Sequence, residues 1–301
     1  MVHDVKHRNR ERVSRPNPPP ASGTRMAQTP RVAIVTGASS GIGEATALHL
    51  IREGWTVYGG ARRVDKMDAL EKAGGRALAL DVTEDESMDA FVQTVLANEG
   101  RIDALVGNAG YGSYGAVEDV PLAEARRQFD VNLFGLARMI QLVLPTMRAQ
   151  RAGTIVNVSS MGGKMYTPMG AWYHATKHAL EGFSDCLRYE LKPHGVRVVI
   201  VEPGAIQTEW GGIAADSLME TSGDGAYAET ARATKKAMDK AYEKNGSATP
   251  PEVIARTIGK AVSAKKPKTR YLVGQYAKPL VALRHLLPDR GFDAVLRSQY
   301  S

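Results

Sequence analysis

The chain has a single cysteine, Cys186, among its 301 residues. One thiol rules out an intramolecular disulfide and a cysteine-built zinc cluster, and no metal site is expected. Cys186 lies in an apolar helical pattern, which predicts a buried, inert thiol. Long apolar runs are also lacking: none approaches the roughly 20 residues that a membrane-spanning helix needs. The N-terminus has no apolar centre of the kind a secretory signal carries, so the cytoplasm is the expected compartment. Surplus charge is scarce where it would matter. The net charge is +7, but residues 1–31 hold Lys6, Arg8, Arg10, Arg12, Arg15, Arg25 and Arg31 against Asp4 and Glu11, which is +5 of it. The remainder is nearly neutral, and no nucleic-acid partner is expected.

What is present begins after that leader. Residues 1–29 are polar, basic and proline-rich with almost nothing to bury, and are expected to be disordered. From Arg31 onward short apolar runs alternate with amphipathic stretches. Strands are predicted at 31–37, 55–61, 76–83, 102–110, 153–160, 196–204 and 269–274. Helices are predicted at 43–54, from about 84 to a stop at Gly100, over roughly 121–150, and from about 172 to 192. That alternation implies an α/β fold of the Rossmann type: a doubly wound parallel sheet of about seven strands with helices on both faces. No internal repeat or second-domain boundary is visible. A single domain over 30–280 is expected, followed by a C-terminal extension at 281–301.

The first strand runs into "TGASSGIGEA", which opens the first helix. Gly37, Gly41 and Gly43 are spaced TGxxxGxG, with Ser39, Ser40 and Ile42 between and beside them. A tight turn, close backbone approach and helix-terminal N–H groups are what a pyrophosphate requires. No lysine follows the glycines as it does in a nucleotide-triphosphate loop. Further along stand "NAG" (Asn108, Ala109, Gly110), Asn132 in "DVNLFG", Ser160 in "VNVSSMGG", "YHATK" with Tyr173 and Lys177, and "EPG" (Glu202, Pro203, Gly204).

Together, in this order, over roughly residues 30–275, these motifs resemble those of the short-chain dehydrogenase/reductase family. The resemblance implies a ketone and a secondary alcohol interconverted by hydride transfer with a nicotinamide cofactor. It assigns catalysis to Asn132, Ser160, Tyr173 and Lys177. Reducing a carbonyl puts charge on its oxygen, which calls for a proton donor within hydrogen-bond reach. A free tyrosine has a pKa near 10, and a neighbouring ammonium together with the positive nicotinamide is expected to lower it. Four residues along a helix place Lys177 on the face of Tyr173. Ser160 is expected to hold the substrate oxygen. Ser159, by strand alternation, should face the other side. The resemblance further gives Lys177 the nicotinamide ribose, Asn132 a water that relays protons from Lys177, Asp81 and Val82 the adenine, and Thr208, with Ile206 nearby, the carboxamide. His174 and His178 are expected to pack or face solvent.

At the end of the second strand, "VYGGARR" has Ala61 where NAD-binding domains carry an acid. Arg62 and Arg63 follow, so NADP(H) is expected over NAD(H). Ser40 departs from the basic residue that some NADP-using relatives carry before the second glycine. Residues 209–249 are expected to cover the substrate as a mobile, partly apolar lid. Met165 and Trp210, with Tyr111, Met161, Trp172, Met219 and Tyr227, suggest a bulky apolar ketone or alcohol such as a steroid, retinoid or long-chain carbonyl. Two alternatives stay open: a 3-oxoacyl-carrier-protein reductase, and a non-catalytic NADP-binding redox sensor. The resemblance also implies a homodimer or homotetramer built on the long helices.

Overall fold

A computed structural model of the chain describes residue 1 and residues 30–242 and 248–300. The leader expected to be disordered lies outside these residues, apart from Met1.

Seven parallel strands form one sheet in the order β3-β2-β1-β4-β5-β6-β7. They are β1 (Val32–Thr36), β2 (Thr56–Ala61), β3 (Arg76–Ala79), β4 (Ala104–Gly107), β5 (Gly153–Val158), β6 (Val196–Pro203) and β7 (Arg270–Val273). Each strand predicted from the sequence is present. Between them run α1 (Gly41–Arg52), α2 (Asp68–Lys72), α3 (Asp85–Glu99), α4 (Leu122–Phe129), α5 (Gly135–Gln150) and α6 (Ala171–Leu191). After β6 come α7 (Trp210–Ser222), α8 (Ala228–Tyr242) and α9 (Pro251–Ser263), and after β7 come α10 (Ala277–Leu286) and α11 (Asp289–Gln299).

Strand alternation divides the core. Val32 and Ile34 of β1 face one side, where Phe91, Val95, Met139, Val143 and Leu180 from α3, α5 and α6 cover the sheet. Ala33 and Val35 face the other, against Ala47 and Leu50 of α1 and Ile254 and Ile258 of α9. Burial on both faces is why the strands read as continuous apolar runs.

Three features depart from the sequence expectation. The predicted helix over 121–150 is interrupted by one π turn, Asp130–Phe134, which carries the buried Asn132. Single π turns inside α-helices frequently mark functional sites. The lid segment takes the form of two helices, α7 and α8, whose Ala214, Leu218, Ala231 and Met238 pack with Tyr114 and Tyr173. Cys186 is exposed, not buried. The inward face of α6 is set by Tyr173, Lys177, Leu180, Ser184, Leu187 and Leu191, spaced three and four apart, and Cys186 lies off that stripe. At the C-terminus α10 runs across residue 280, and α11 brings the fully buried Phe292 back against Met165 and Val281.

Candidate active site

The C-terminal ends of β1, β2, β4, β5 and β6 converge on a cavity of about 520 Å³. In a doubly wound sheet this edge is where ligands bind. Its floor is the glycine turn: Gly37 (φ +67) and Gly41 (φ +57) occupy the left-handed region that favours glycine. Gly43 does not line the cavity. A Cβ there would stand 2.1 Å from the Gly37 carbonyl oxygen, so its bare Cα seats α1 on the turn. Ser40 caps α1 without a side-chain hydrogen bond to the helix. Ser39, Ser40 and Ile42 line the same floor. Backbone N–H groups at such a helix start suit an anion.

The expected neighbours assemble around this turn. The Asn108 amide donates to the carbonyls of Thr36 (3.0 Å) and Gly37 (3.3 Å), clamping β4 to the turn, and Ala109 and Gly110 continue the wall. Pro203, Gly204, Ile206 and Thr208 form the opposite wall. A Cβ on Gly41 would meet Thr208 Cγ2 at 3.0 Å, so glycine keeps the two walls in close approach.

At one end Arg62 and Arg63 line the mouth, with Ala61 ending β2. Arg63 makes an exposed pair with Glu209 at 3.9 Å, while Asp81 and Val82 stand on the adjacent wall. Burial works against the Asp81 charge, but two hydrogen bonds from Thr83 and the charges of Arg62 and Arg127 hold its carboxyl below the usual range. Arg127, on α4, was not anticipated. It lines the cavity beside Tyr111, and nothing local in "EARRQF" distinguishes it from Arg126.

At the inner end Ser160, Tyr173 and Lys177 come together. Ser160 hydrogen-bonds the Tyr173 hydroxyl. Lys177 Nζ lies 5.9 Å from the Tyr173 ring centre and donates to the Val158 carbonyl at 3.0 Å. Burial pushes Tyr173 up to about 12, and the bond from Ser160 offsets this only in part. Lys177 is the group brought down: burial takes it to about 8, with Glu181 on the next turn working the other way. Ser159 Oγ is buried without a partner, yet Ser159 still borders the cavity beside Ser160.

Besides Gly43, two expected site residues stand outside the cavity lining. Met165 packs with Val281, Phe292 and Leu296, because the C-terminal helices claim its side of the loop after β5. Asn132 lies behind the wall. Its Nδ2 donates to the Tyr111 carbonyl (2.9 Å) and to Thr176 Oγ1 (3.1 Å), and its Oδ1 accepts from the Tyr111 N–H. Thr176 in turn donates to the Tyr173 carbonyl, so Asn132 braces the turn that carries Tyr173. Trp210 does line the cavity. Its ring centre is 5.1 Å from that of Tyr173, with Tyr242 (5.7 Å from Trp210) and Tyr114 (5.8 Å from Tyr173) beside it. Tyr114 and Tyr242 carried no signal, since each reaches the site only through tertiary packing.

Among the described residues no group of three or more His, Cys, Asp or Glu could hold a metal, and no helix is long and apolar enough to cross a membrane. The glycine turn, the open start of α1 and the single cavity running from Arg62 to Tyr173 define a nucleotide-binding fold.

Comparison with known proteins carries this further. Residues 31–216 match the family model described as short chain dehydrogenase. The chain is 36% identical over 275 residues to the 3-ketodihydrosphingosine reductase of Bacteroides thetaiotaomicron, covering 90% of this chain and 98% of that one. It is 36% identical to the NADPH-dependent 3-dehydrocapnine reductase of Ornithobacterium rhinotracheale, covering 88% and 95%. A solved short-chain dehydrogenase from Streptomyces avermitilis superposes with a TM-score of 0.74 at 34% identity, over 90% of this chain and 96% of that one. The chain belongs to the short-chain dehydrogenase/reductase family, and is an oxidoreductase of the kind that acts on CH–OH and C=O groups.

Proposed function

We propose that the protein is an NADP(H)-dependent reductase of bulky apolar ketones, able to run in reverse on secondary alcohols. The observation that carries this is one cavity with a hydroxyl pair and a buried ammonium at its inner end and two arginines, with no acid at the β2 position, at its mouth. Gly37, Ser39, Ser40 and Gly41 would hold the pyrophosphate, Arg62 and Arg63 the 2′-phosphate, and Lys177 the nicotinamide ribose. When bound, the cofactor supplies the hydride and a positive ring in its oxidised form.

The chain's own groups supply the rest. Ser160 holds the carbonyl oxygen, and Tyr173 Oη delivers the proton as negative charge gathers there. Lys177, buried beside the phenol, stabilises the phenolate left behind. Asn132 supports this from a distance: with both amide hydrogens committed to Tyr111 and Thr176, it steadies the Tyr173 turn. Trp210 and Tyr242 give the substrate an apolar, ring-lined chamber, with Tyr114 packed behind Trp210 and Tyr173. The names of the two reductases described above, each specifying a 3-keto or 3-dehydro compound, support a ketone substrate.

The cytoplasm suits a chain with a lone thiol and no disulfide. We assign it a homodimer or homotetramer. Leu122 and Phe134 are each 58% exposed, beside an apolar groove lined by Phe129 and Trp172.

The test is NADPH consumption with 2-decanone, trans-1-decalone and a 3-oxoacyl thioester. Turnover of the free ketones is expected. Turnover of the thioester alone would transfer the assignment to an acyl-thioester reductase. Tight NADPH binding with no turnover of any carbonyl would favour a redox sensor.

A further inference from the structure

His174 follows Tyr173 directly and is only 6% exposed. Its ring does not border the cavity. It points into the loop between β5 and α6, held between two glycines: a Cβ on Gly162 would lie 3.0 Å from Nδ1, and one on Gly170 would lie 2.8 Å from Cδ2. Side chains at either position would push the imidazole out of place.

The hydrogen bonds fix where its proton sits. The Thr167 backbone N–H, which can only donate, reaches Nε2 at 3.0 Å. Nε2 therefore carries no hydrogen, its single lone pair taking that N–H, and Thr167 Oγ1 lies 3.0 Å from the same nitrogen. The ring is neutral with its hydrogen on Nδ1, which donates to the Gly162 carbonyl at 2.9 Å. Burial, which takes the His174 pKa down to about 4, agrees with a neutral ring. Gly162, held by its oxygen, donates its own N–H to Ser160 Oγ at 3.0 Å.

Every link in this chain has one direction. Thr167 donates to His174, His174 to Gly162, and Gly162 to Ser160. Ser160 Oγ already accepts a hydrogen from the loop, so its own hydrogen is directed to Tyr173 and the cavity. The link through Gly162 is positional: its C=O and N–H belong to successive peptide groups, so holding the one fixes where the other points.

We propose that His174 is a positioning residue which, through Gly162, fixes the Ser160 hydroxyl as a donor into the cavity, to Tyr173 before substrate binds and to the reacting carbonyl oxygen afterwards. This rests on the ketone-reducing role proposed above. His174 is not a general base: the lone pair of one ring nitrogen is taken by the Thr167 N–H, and the other nitrogen carries the hydrogen bound for Gly162.

The test is a double-mutant cycle with NADPH and trans-1-decalone or 2-decanone, in wild-type and Ser160→Ala backgrounds. His174→Leu should lower kcat roughly tenfold in the wild type, short of the roughly hundredfold or more for deleting an oxyanion donor outright. The KM for ketone and the Kd for NADPH should stay within about twofold. In Ser160→Ala the same substitution should change kcat by less than about twofold, because the group it acts through is gone. His174→Asn, which keeps an N–H within reach of Gly162, should recover most of the loss. An equal loss in both backgrounds, or a matching loss of NADPH binding, would overturn the proposal.

A second measurement needs no substrate. Nitrogen NMR of the wild-type protein labelled at histidine should show, near neutral pH, one neutral ring protonated at Nδ1 that is absent from His174→Asn. A proton on Nε2, or a charged ring, overturns the proposal whatever the kinetics. A wild type that reduces no ketone overturns the functional reading and the role of His174 with it, while the tautomer still reports on the geometry.

Discussion

Tyr173 is asked to exchange a proton from a place where burial alone holds that proton tightly. The four-residue step from Tyr173 to Lys177 was readable in the sequence, because helix periodicity guarantees a shared face. The pKa directions were not, since they depend on how completely α7 and α8 close over the site. Tyr173→Phe removes the proton and leaves the ring, so kcat for ketone reduction should fall by about 10²- to 10⁴-fold with the NADPH Kd unchanged. An activity within a few-fold of wild type would remove Tyr173 from the chemistry. Lys177 makes a separate thermodynamic prediction. Its folded pKa of about 8 lies below the ordinary 10.5, so between these values the unfolded chain binds the proton more firmly. Stability then rises with pH across that window, and below about 8 the full cost of the buried charge is present. Without cofactor, Lys177→Met should raise the melting temperature at neutral pH, and the gain should shrink as the pH climbs through that window. A melting temperature that falls at neutral pH would show that the hydrogen bond to Val158 outweighs the buried charge.

Elements differ in how far their own residues determine them. The strands were legible because burial on both faces leaves uninterrupted apolar runs, and the glycine turn because only glycine tolerates its geometry. Gly43→Ala would place a methyl 2.1 Å from the Gly37 carbonyl and force α1 off the turn. About 1–3 kcal/mol of stability should be lost, seen as a lower denaturant midpoint, together with weaker NADPH binding. Unchanged values for both would mean that the turn is not rigid. The π turn at Asp130–Phe134 was not legible. It is braced by bonds from Asn132 to Tyr111 and Thr176, partners 21 and 44 residues away. The lid helices were hidden for a related reason. The inward face of α8 is as modest as Ala231, Thr234 and Met238, and it becomes a core only against α7. Cys186 is the opposite case: its neighbourhood in sequence is apolar, but α6 turns its buried stripe elsewhere and leaves the thiol exposed.

At the scale of the whole molecule, the sheet order brings to one edge residues that are far apart in sequence. The mouth at Arg62, the turn at Gly37 and the pair at Tyr173 share one cavity because β2, β1, β4 and β5 are neighbours. That much was legible from the order of motifs. The chamber was not, because Met165 is claimed by α11 while Tyr242 reaches the cavity from α8, and both outcomes depend on packing of distant segments. Sizing chromatography should show a dimer or tetramer of the 32.5 kDa subunit, and a monomer at micromolar concentration would contradict the proposed assembly. The central claim is that this cavity takes NADP(H) with its 2′-phosphate at the β2 mouth. Fluorescence titration of NADPH and NADH against the wild type and Arg62→Ala tests it most directly. A charged hydrogen bond to the phosphate is worth about 1.5–3 kcal/mol, so NADPH should bind roughly tenfold to hundredfold tighter than NADH, and the difference should collapse in the variant. Equal or tighter binding of NADH, or a preference that survives Arg62→Ala, would contradict it.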